Sequence, residues 1–209
     1  MYPNSMIDKQ MERKNLETAG GYFAKASGDK GELEISTVLK SLPDCYHVMD
    51  NILLQTRKGS TQIDHVVVSP YGLFVIETKN HKGMIFGDCQ GRVWTQVLNG
   101  RGRFKFYSPV LQNEGHIRNL SQQIKLNRRF MCGVIVFTNP DVNLSNVNCP
   151  FCFDVASLYD YICSFGNLIL NNKNIAEIIK RIDGVDTNSY MNRAKHIEYV
   201  NSIKDKRGY

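Results

Sequence analysis

Thr61-Gln62-Ile63-Asp64-His65-Val66-Val67-Val68-Ser69-Pro70-Tyr71-Gly72-Leu73-Phe74-Val75-Ile76-Glu77-Thr78-Lys79-Asn80 is the stretch that decides the fold of this 209-residue chain. It reads as two β-branched runs joined by Ser69-Pro70-Tyr71-Gly72, with proline and glycine at the second and fourth positions of a β-turn. With Ser69 facing Gly72, the hairpin opposes Val68 to Leu73, Val66 to Val75 and Asp64 to Glu77. Side chains alternate along a strand, so Lys79 shares a surface with both carboxylates. Opposed Cβ atoms lie roughly 5 Å apart, where like charges repel. A hard cation held between Asp64 and Glu77, with a lysine beside it, is one reason for such a pair. A solvated strand end with an ion pair between Glu77 and Lys79 is the other. Both faces of the hairpin are apolar, which favours the cation.

The rest of the composition sets the frame. The length suits one domain with a sizeable core, and 42% hydrophobic and 22% charged residues are ordinary for a globular protein. A net charge of +6 and a pI near 9.0 favour a polyanionic partner. No run reaches the ~18 apolar residues of a membrane span, and Met1 to Glu17 has no signal-peptide core. The expected compartment is the cytoplasm, where the six cysteines stay reduced. Cys149-Pro150-Phe151-Cys152 has metal-ligand spacing, but no second such pair or nearby histidine pair accompanies it in the sequence.

Upstream of the hairpin, residues 1–27 read as an arm with a helix around Met6 to Leu16 and a break at Gly20-Gly21. A second helix opens at Gly28-Asp29-Lys30-Gly31. Asp29 is its expected N-cap, Glu32 falls at the third position, and Ile35, Val38, Leu39 and Leu42 form an apolar stripe that Pro43 ends. Glu32 and Glu34 flank that stripe on opposite sides, so periodicity leaves open which one points inward. Tyr46 to Gln55 reads as a strand that enters the hairpin through Lys58-Gly59-Ser60.

Downstream, three short strands are expected at His81–Gly87, Gly91–Leu98 and Arg101–Tyr107. In the third, Arg101, Arg103 and Lys105 alternate with Gly102, Phe104 and Phe106, which puts cations on one face and aromatics on the other. That face either meets phosphate or is simply solvated. Ser108-Pro109 caps and starts a helix running to about Asn127, with Gln112 and His116 on one face. Cys132 to Thr138 is a buried strand, and a helix followed by a buried strand implies at least one parallel pair. A strand at Phe151–Val155, helices at Ser157–Phe165 and Asn174–Ile182, and a basic tail from Thr187 to Tyr209 complete the chain.

Gly31-Glu32, Gln62-Ile63-Asp64-His65, Gly72 through Asn80, Gly83, and Ser108-Pro109-Val110-Leu111-Gln112-Asn113 together resemble the nuclease-related domain, a branch of the PD-(D/E)xK nuclease superfamily. The resemblance covers residues 28–140. It implies an α/β, restriction-endonuclease-like mixed sheet flanked by helices; outside it, the residues themselves read as an N-terminal arm over 1–27 and an extension with extra helices over 141–209. It implies that Glu32, Asp64, Glu77, Lys79 and Gln112 are catalytic. Mg²⁺, or Mn²⁺, would be held by Asp64, Glu77 and the main-chain carbonyl of Thr78. Lys79 would orient the attacking water or stabilise the transition state, Glu32 would hold a second ion or a water, and Gln112 would position one of these groups. The implied activity is phosphodiester hydrolysis in nucleic acid, DNA before RNA; the alternation and the basic balance, not the resemblance, make Arg101, Arg103 and Lys105 the expected phosphate contacts. The competing expectation is a catalytically silent module of the same fold that binds nucleic acid or a protein, the latter through the C-terminal helices.

Overall fold

The computed structural model describes residues 28–57 and 59–207. The helix expected at Met6 to Leu16 lies outside them. Among the described residues helix α1 covers 28–40 and already includes Gly28, so Asp29 lies within the helix rather than capping it. Strands β1 (His47–Thr56), β2 (Gly59–Ser69) and β3 (Gly72–Lys79) form a meander, and β4 (Gly83–Asp88), β5 (Val93–Leu98) and β6 (Gly102–Tyr107) form another. After α2 (Pro109–Ile124) come β7 (Met131–Phe137), β8 (Val142–Asn148), β9 (Cys152–Asp154), α3 (Val155–Cys163), α4 (Asn172–Val185) and α5 (Tyr190–Arg207).

The strands make two mixed sheets instead of one. The larger has the order β1-β2-β3-β7-β9 and the smaller β6-β5-β4-β8. In the larger sheet β1, β2 and β3 are antiparallel, while β7 runs parallel to β3 and β9 parallel to β7. The hairpin register is the expected one from Ser69 opposite Gly72 to His65 opposite Ile76, but the ladder stops there and the expected pairing of Asp64 with Glu77 is not part of it. Its turn is closed by the Ser69 hydroxyl, which donates to the Gly72 carbonyl at 3.0 Å.

Apolar residues cover both faces of the larger sheet. Val66, Val68, Leu73 and Val75 pack against Ile117, Leu120 and Ile124 of α2 and Ile175, Ile178 and Ile182 of α4. On the other face Val67, Phe74, Ile76, Val134 and Val136 meet Ile35 and Leu39 of α1 and Leu158 and Ile162 of α3. A third cluster, centred on Trp94, Ile85 and Phe137, joins the smaller sheet to the larger. Cys149 belongs to it, with its sulfur 2.6 Å from that of Cys89. Burial pushes the Cys149 thiol up to about 12.

One irregularity matters for the site. Ile63 and Val66 both face α2, as do Ile52 and Met49 on the neighbouring strand, although strict alternation would send residues three apart to opposite faces. The pleat therefore reverses in both strands at the same level. The β1–β2 ladder steps from Asp50–His65 to Ile52–Ile63 and omits Asn51 and Asp64. Asn51 takes the left-handed conformation (φ 59°), which asparagine tolerates better than most residues. Its side chain accepts from Gln62 and its carbonyl from Asn188, both at 2.8 Å.

The two sheets share a crease. β3 continues into β4 and β7 into β8, and both pairs are parallel. Across the crease the Thr138 N–H donates to the Lys79 carbonyl, Asn139 to the Asn80 side chain, and the Gly83 N–H to the Asp141 carbonyl, at 2.9, 3.0 and 2.9 Å. β8 has no counterpart in the sequence expectation. Its register against β4 shifts between Met84 and Phe86, so Leu144 and Val147 fall three apart and the period of two is broken.

Candidate active site

The site forms where Asp64 leaves both of its ladders. Glu77 stands beside it on β3, only 2% exposed. Its Oε1 accepts from the Lys79 ammonium and, at 2.6 Å, from the Gln112 amide. Lys79 also donates to Gln112 Oε1 at 3.1 Å, which closes a triangle. Glu77 Oε2 accepts from His116 Nε2 at 3.0 Å, and the Thr61 hydroxyl lies 2.9 Å from His116 Nδ1. Asp64 Oδ2 accepts the main-chain N–H of Thr78 at 2.8 Å. The helix that supplies Gln112 and His116 is fixed by Asn113, whose amide donates to the carbonyls of Val75 and Val134 at 2.8 and 3.2 Å. Three residues of one helix thus grip β3 and β7, and the Ser108 cap and Pro109 explain why the helix starts there.

Glu32 is the α1 glutamate that faces this group; Glu34 is exposed on the outer side. Ser36, one turn later, donates to Asp50 Oδ2 at 2.6 Å, and Lys40 pairs with the same oxygen at 2.8 Å. His65, 1% exposed, donates from Nδ1 to Asp50 Oδ1 at 2.8 Å. Burial alone would raise the Asp50 carboxyl, but these donors hold it well below its usual range. This anchor holds α1 against β1 and β2. On the same helix, Gly31 allows close approach, since a Cβ there would lie 2.5 Å from the Thr138 hydroxyl.

The three carboxylates are not alike electrostatically. Burial, then the charge of Asp64 and other nearby carboxylates, pushes Glu32 up to about 7. Burial and the Glu77 charge push Asp64 up to about 6 against the pull of Lys79. Burial would raise Glu77 too, but Lys79 and His116 outweigh it and hold it at about 2. Lys79 is raised, because Glu77 and Asp64 overcome its own desolvation. It is therefore a fixed cation and no proton acceptor. Burial and the Lys79 charge lower His81 to about 4, and its ring packs 4.2 Å from that of Phe106. The arrangement combines a buried anion–cation pair, two crowded carboxylates, and a glutamate able to exchange a proton near neutral pH.

Glu32, Asp64, Glu77, Lys79 and Gln112 are thus brought together. Thr78 joins them through its main chain, and its hydroxyl is buried without a partner among the described residues. Arg101, Arg103 and Lys105 are not part of this group. Arg103 and Lys105 lie exposed on β6, the edge strand of the smaller sheet, and Arg101 in the turn before it. His116 and Thr61 carry no assigned role in the sequence reading. The four-residue spacing from Gln112 to His116 was the available signal.

Mixed sheets of five and four strands flanked by five helices, with Asp64 and a Glu-x-Lys pair at the end of the central hairpin, are consistent with a restriction-endonuclease-like fold. The chain belongs to the nuclease-related domain family, whose family model matches residues 27–138. It is similar to an uncharacterized protein of Bacillus anthracis, 29% identical over 187 residues that cover 87% of this chain and 87% of that protein. No solved structure matches it. Among the described residues no helix is long and apolar enough to cross a membrane.

Proposed function

We propose that this chain is a Mg²⁺-dependent nuclease that hydrolyses phosphodiester bonds in DNA. The observation that carries this reading is the convergence of Glu32, Asp64, Glu77 and Lys79 on one buried site in a chain of the nuclease-related family. Among the described residues no group of three or more His, Cys, Asp or Glu side chains is placed to hold a metal ion. Mg²⁺ does not need such a cage, because it keeps waters and binds one or two carboxylates plus substrate phosphate. A carboxylate offers about four acceptor positions. Glu77 Oε2 carries one donor and Asp64 Oδ1 none among the described residues, so both retain capacity. The donors are all oxygen, and the crowding of Asp64 against Glu77 is what a cation relieves. Asp64, Glu77 and the Thr78 carbonyl fit the ion on these grounds.

When bound, the ion supplies Lewis-acid stabilisation of charge at the phosphoryl group. The protein's own groups do the rest. The Lys79 ammonium, fixed by Glu77 and Gln112, stabilises negative charge that develops on the phosphoryl oxygens. Glu32, near 7, takes the proton of the attacking water as the new oxygen–phosphorus bond forms, while the bond from phosphorus to the leaving sugar oxygen breaks and that oxygen takes a proton from solvent. His116 and Gln112 hold Glu77 in place. Arg103 and Lys105 offer phosphate contacts away from the reacting bond.

Purified protein incubated with supercoiled plasmid is expected to nick it in Mg²⁺ or Mn²⁺ and leave it intact in EDTA. No nicking under any of the three conditions, with the plasmid still shifted in a gel, would mean a binding module without catalysis. In the same assay His116→Ala, which leaves Glu77 Oε2 without its donor, is expected to lower kcat roughly 10- to 100-fold. KM for DNA should change little, because His116 is buried away from the substrate.

A further inference from the structure

The cation strand β6 belongs to a larger surface that no single stretch of sequence displays. On the smaller sheet Ile85, Trp94 and Phe106 face the core, and a Cβ on Gly87 would collide with the Trp94 ring. Alternation then puts Phe86, Val93, Arg103, Lys105 and Tyr107 together on the opposite face. Lys105 stands opposite Thr95, and Thr95 opposite Phe86, so one row across the sheet reads cation, hydroxyl, aromatic ring. Phe86 is 38% and Val93 52% exposed, and Arg103 and Lys105 are exposed as well. The acid on this face, Asp88, is occupied in its own turn, accepting the N–H groups of Gln90 and Gly91 at 2.8 and 2.7 Å.

An exposed ring beside two cations that have no ion-pair partner among the described residues matches a polyanion that carries flat apolar groups of its own. Duplex nucleic acid hides its bases within the stack, whereas a single strand presents them for stacking on aromatic side chains. We propose that the outer face of the smaller sheet binds single-stranded nucleic acid. Bases stack on Phe86 and Tyr107, and the phosphates run along Arg103 and Lys105. The platform begins at Gly83, four residues after Lys79, so at most about 14 Å of chain separates it from the cation of the candidate active site. The substrate class this adds to the proposed nuclease is DNA with an unpaired segment: a flap, a gap or a free end.

The inference rests on the proposed nuclease reading for its meaning, and the two are separable by experiment. Fluorescence anisotropy of a labelled oligothymidine against a duplex of equal length, in EDTA, reads binding without cleavage. The full chain is expected to prefer the single strand. Phe86→Ala should weaken that binding roughly tenfold or more, and Phe86→Tyr should restore it. Arg103→Ala should weaken binding and flatten its salt dependence. Circular dichroism of each variant keeps loss of folding apart from loss of binding. Phe86-dependent binding by a protein that cuts nothing in Mg²⁺ upholds the platform while the nuclease reading falls. Equal binding by Phe86→Ala, equal loss on duplex and single strand, or a dimer that Phe86→Ala dissociates overturns the platform, whether or not the protein cuts.

Discussion

Replacement of Glu77 by alanine is expected to remove cleavage and to destabilise the fold by about 3–5 kcal/mol. The two effects have one cause. Glu77 is 2% exposed and collects donors from Lys79, Gln112 and His116. Without it the Lys79 ammonium stays in a largely dehydrated site with no anion in contact, and two further donors lose their acceptor. Breaking one side of a buried pair costs far more than the pair itself contributes. Addition of Lys79→Met to Glu77→Ala should therefore recover much of the loss, because the uncompensated charge goes too. Urea denaturation of the two single variants and the double variant measures this coupling. Additive losses would show that Glu77 and Lys79 do not act as a buried pair.

Asp64→Asn is expected to act in the opposite direction on stability, while also removing cleavage. In EDTA it should stabilise the protein by about 3 kcal/mol at neutral pH and above. Its folded value, about 6, lies above the ordinary 3.8. A carboxyl raised in this way gives the folded state stability that is fully present below 3.8 and lost as pH rises through 6. Ionised Asp64 is therefore a cost at pH 8, and asparagine removes that cost while its side-chain oxygen can still accept the Thr78 N–H. The gain should shrink through the interval from 6 to 4 and vanish below it. Thermal melts of both proteins across that range check the sign. A gain that persists at pH 4 would place its origin in packing and not in charge.

The sequence displayed more of the hairpin than of its surroundings. Ser69-Pro70-Tyr71-Gly72 and the alternation on either side specify a register that the structure reproduces as far as His65 and Ile76, where the ladder ends short of Asp64 and Glu77. The buried run Cys132 to Phe137 pairs parallel to β3, in keeping with the helix before it. Where the period of two breaks, legibility ends. β8 escaped because its register shift separates Leu144 from Val147, and the division into two sheets was invisible because each strand by itself is ordinary. The choice between Glu32 and Glu34 needed the Ser36–Asp50 bond, which joins residues of different elements. His116 needed Glu77, whose position depends on a helix and a strand packing together. Phe104 and Phe106 of β6 are expected to lie opposite its cations, and by alternation they do, but the rings beside those cations are Phe86 of β4 and Tyr107 of β6 itself.

The crease between the sheets has a mechanical consequence. Two parallel strands pass through it side by side and are fastened at Lys79–Thr138, Asn80–Asn139 and Gly83–Asp141. Rails tied together at three successive sleepers cannot slide past each other; they can only flex as one. The smaller sheet is thus held at the crease beside the Lys79 peptide and again through the Trp94 cluster against β7. A load applied far out on that sheet arrives at the one strand that carries both Glu77 and Lys79.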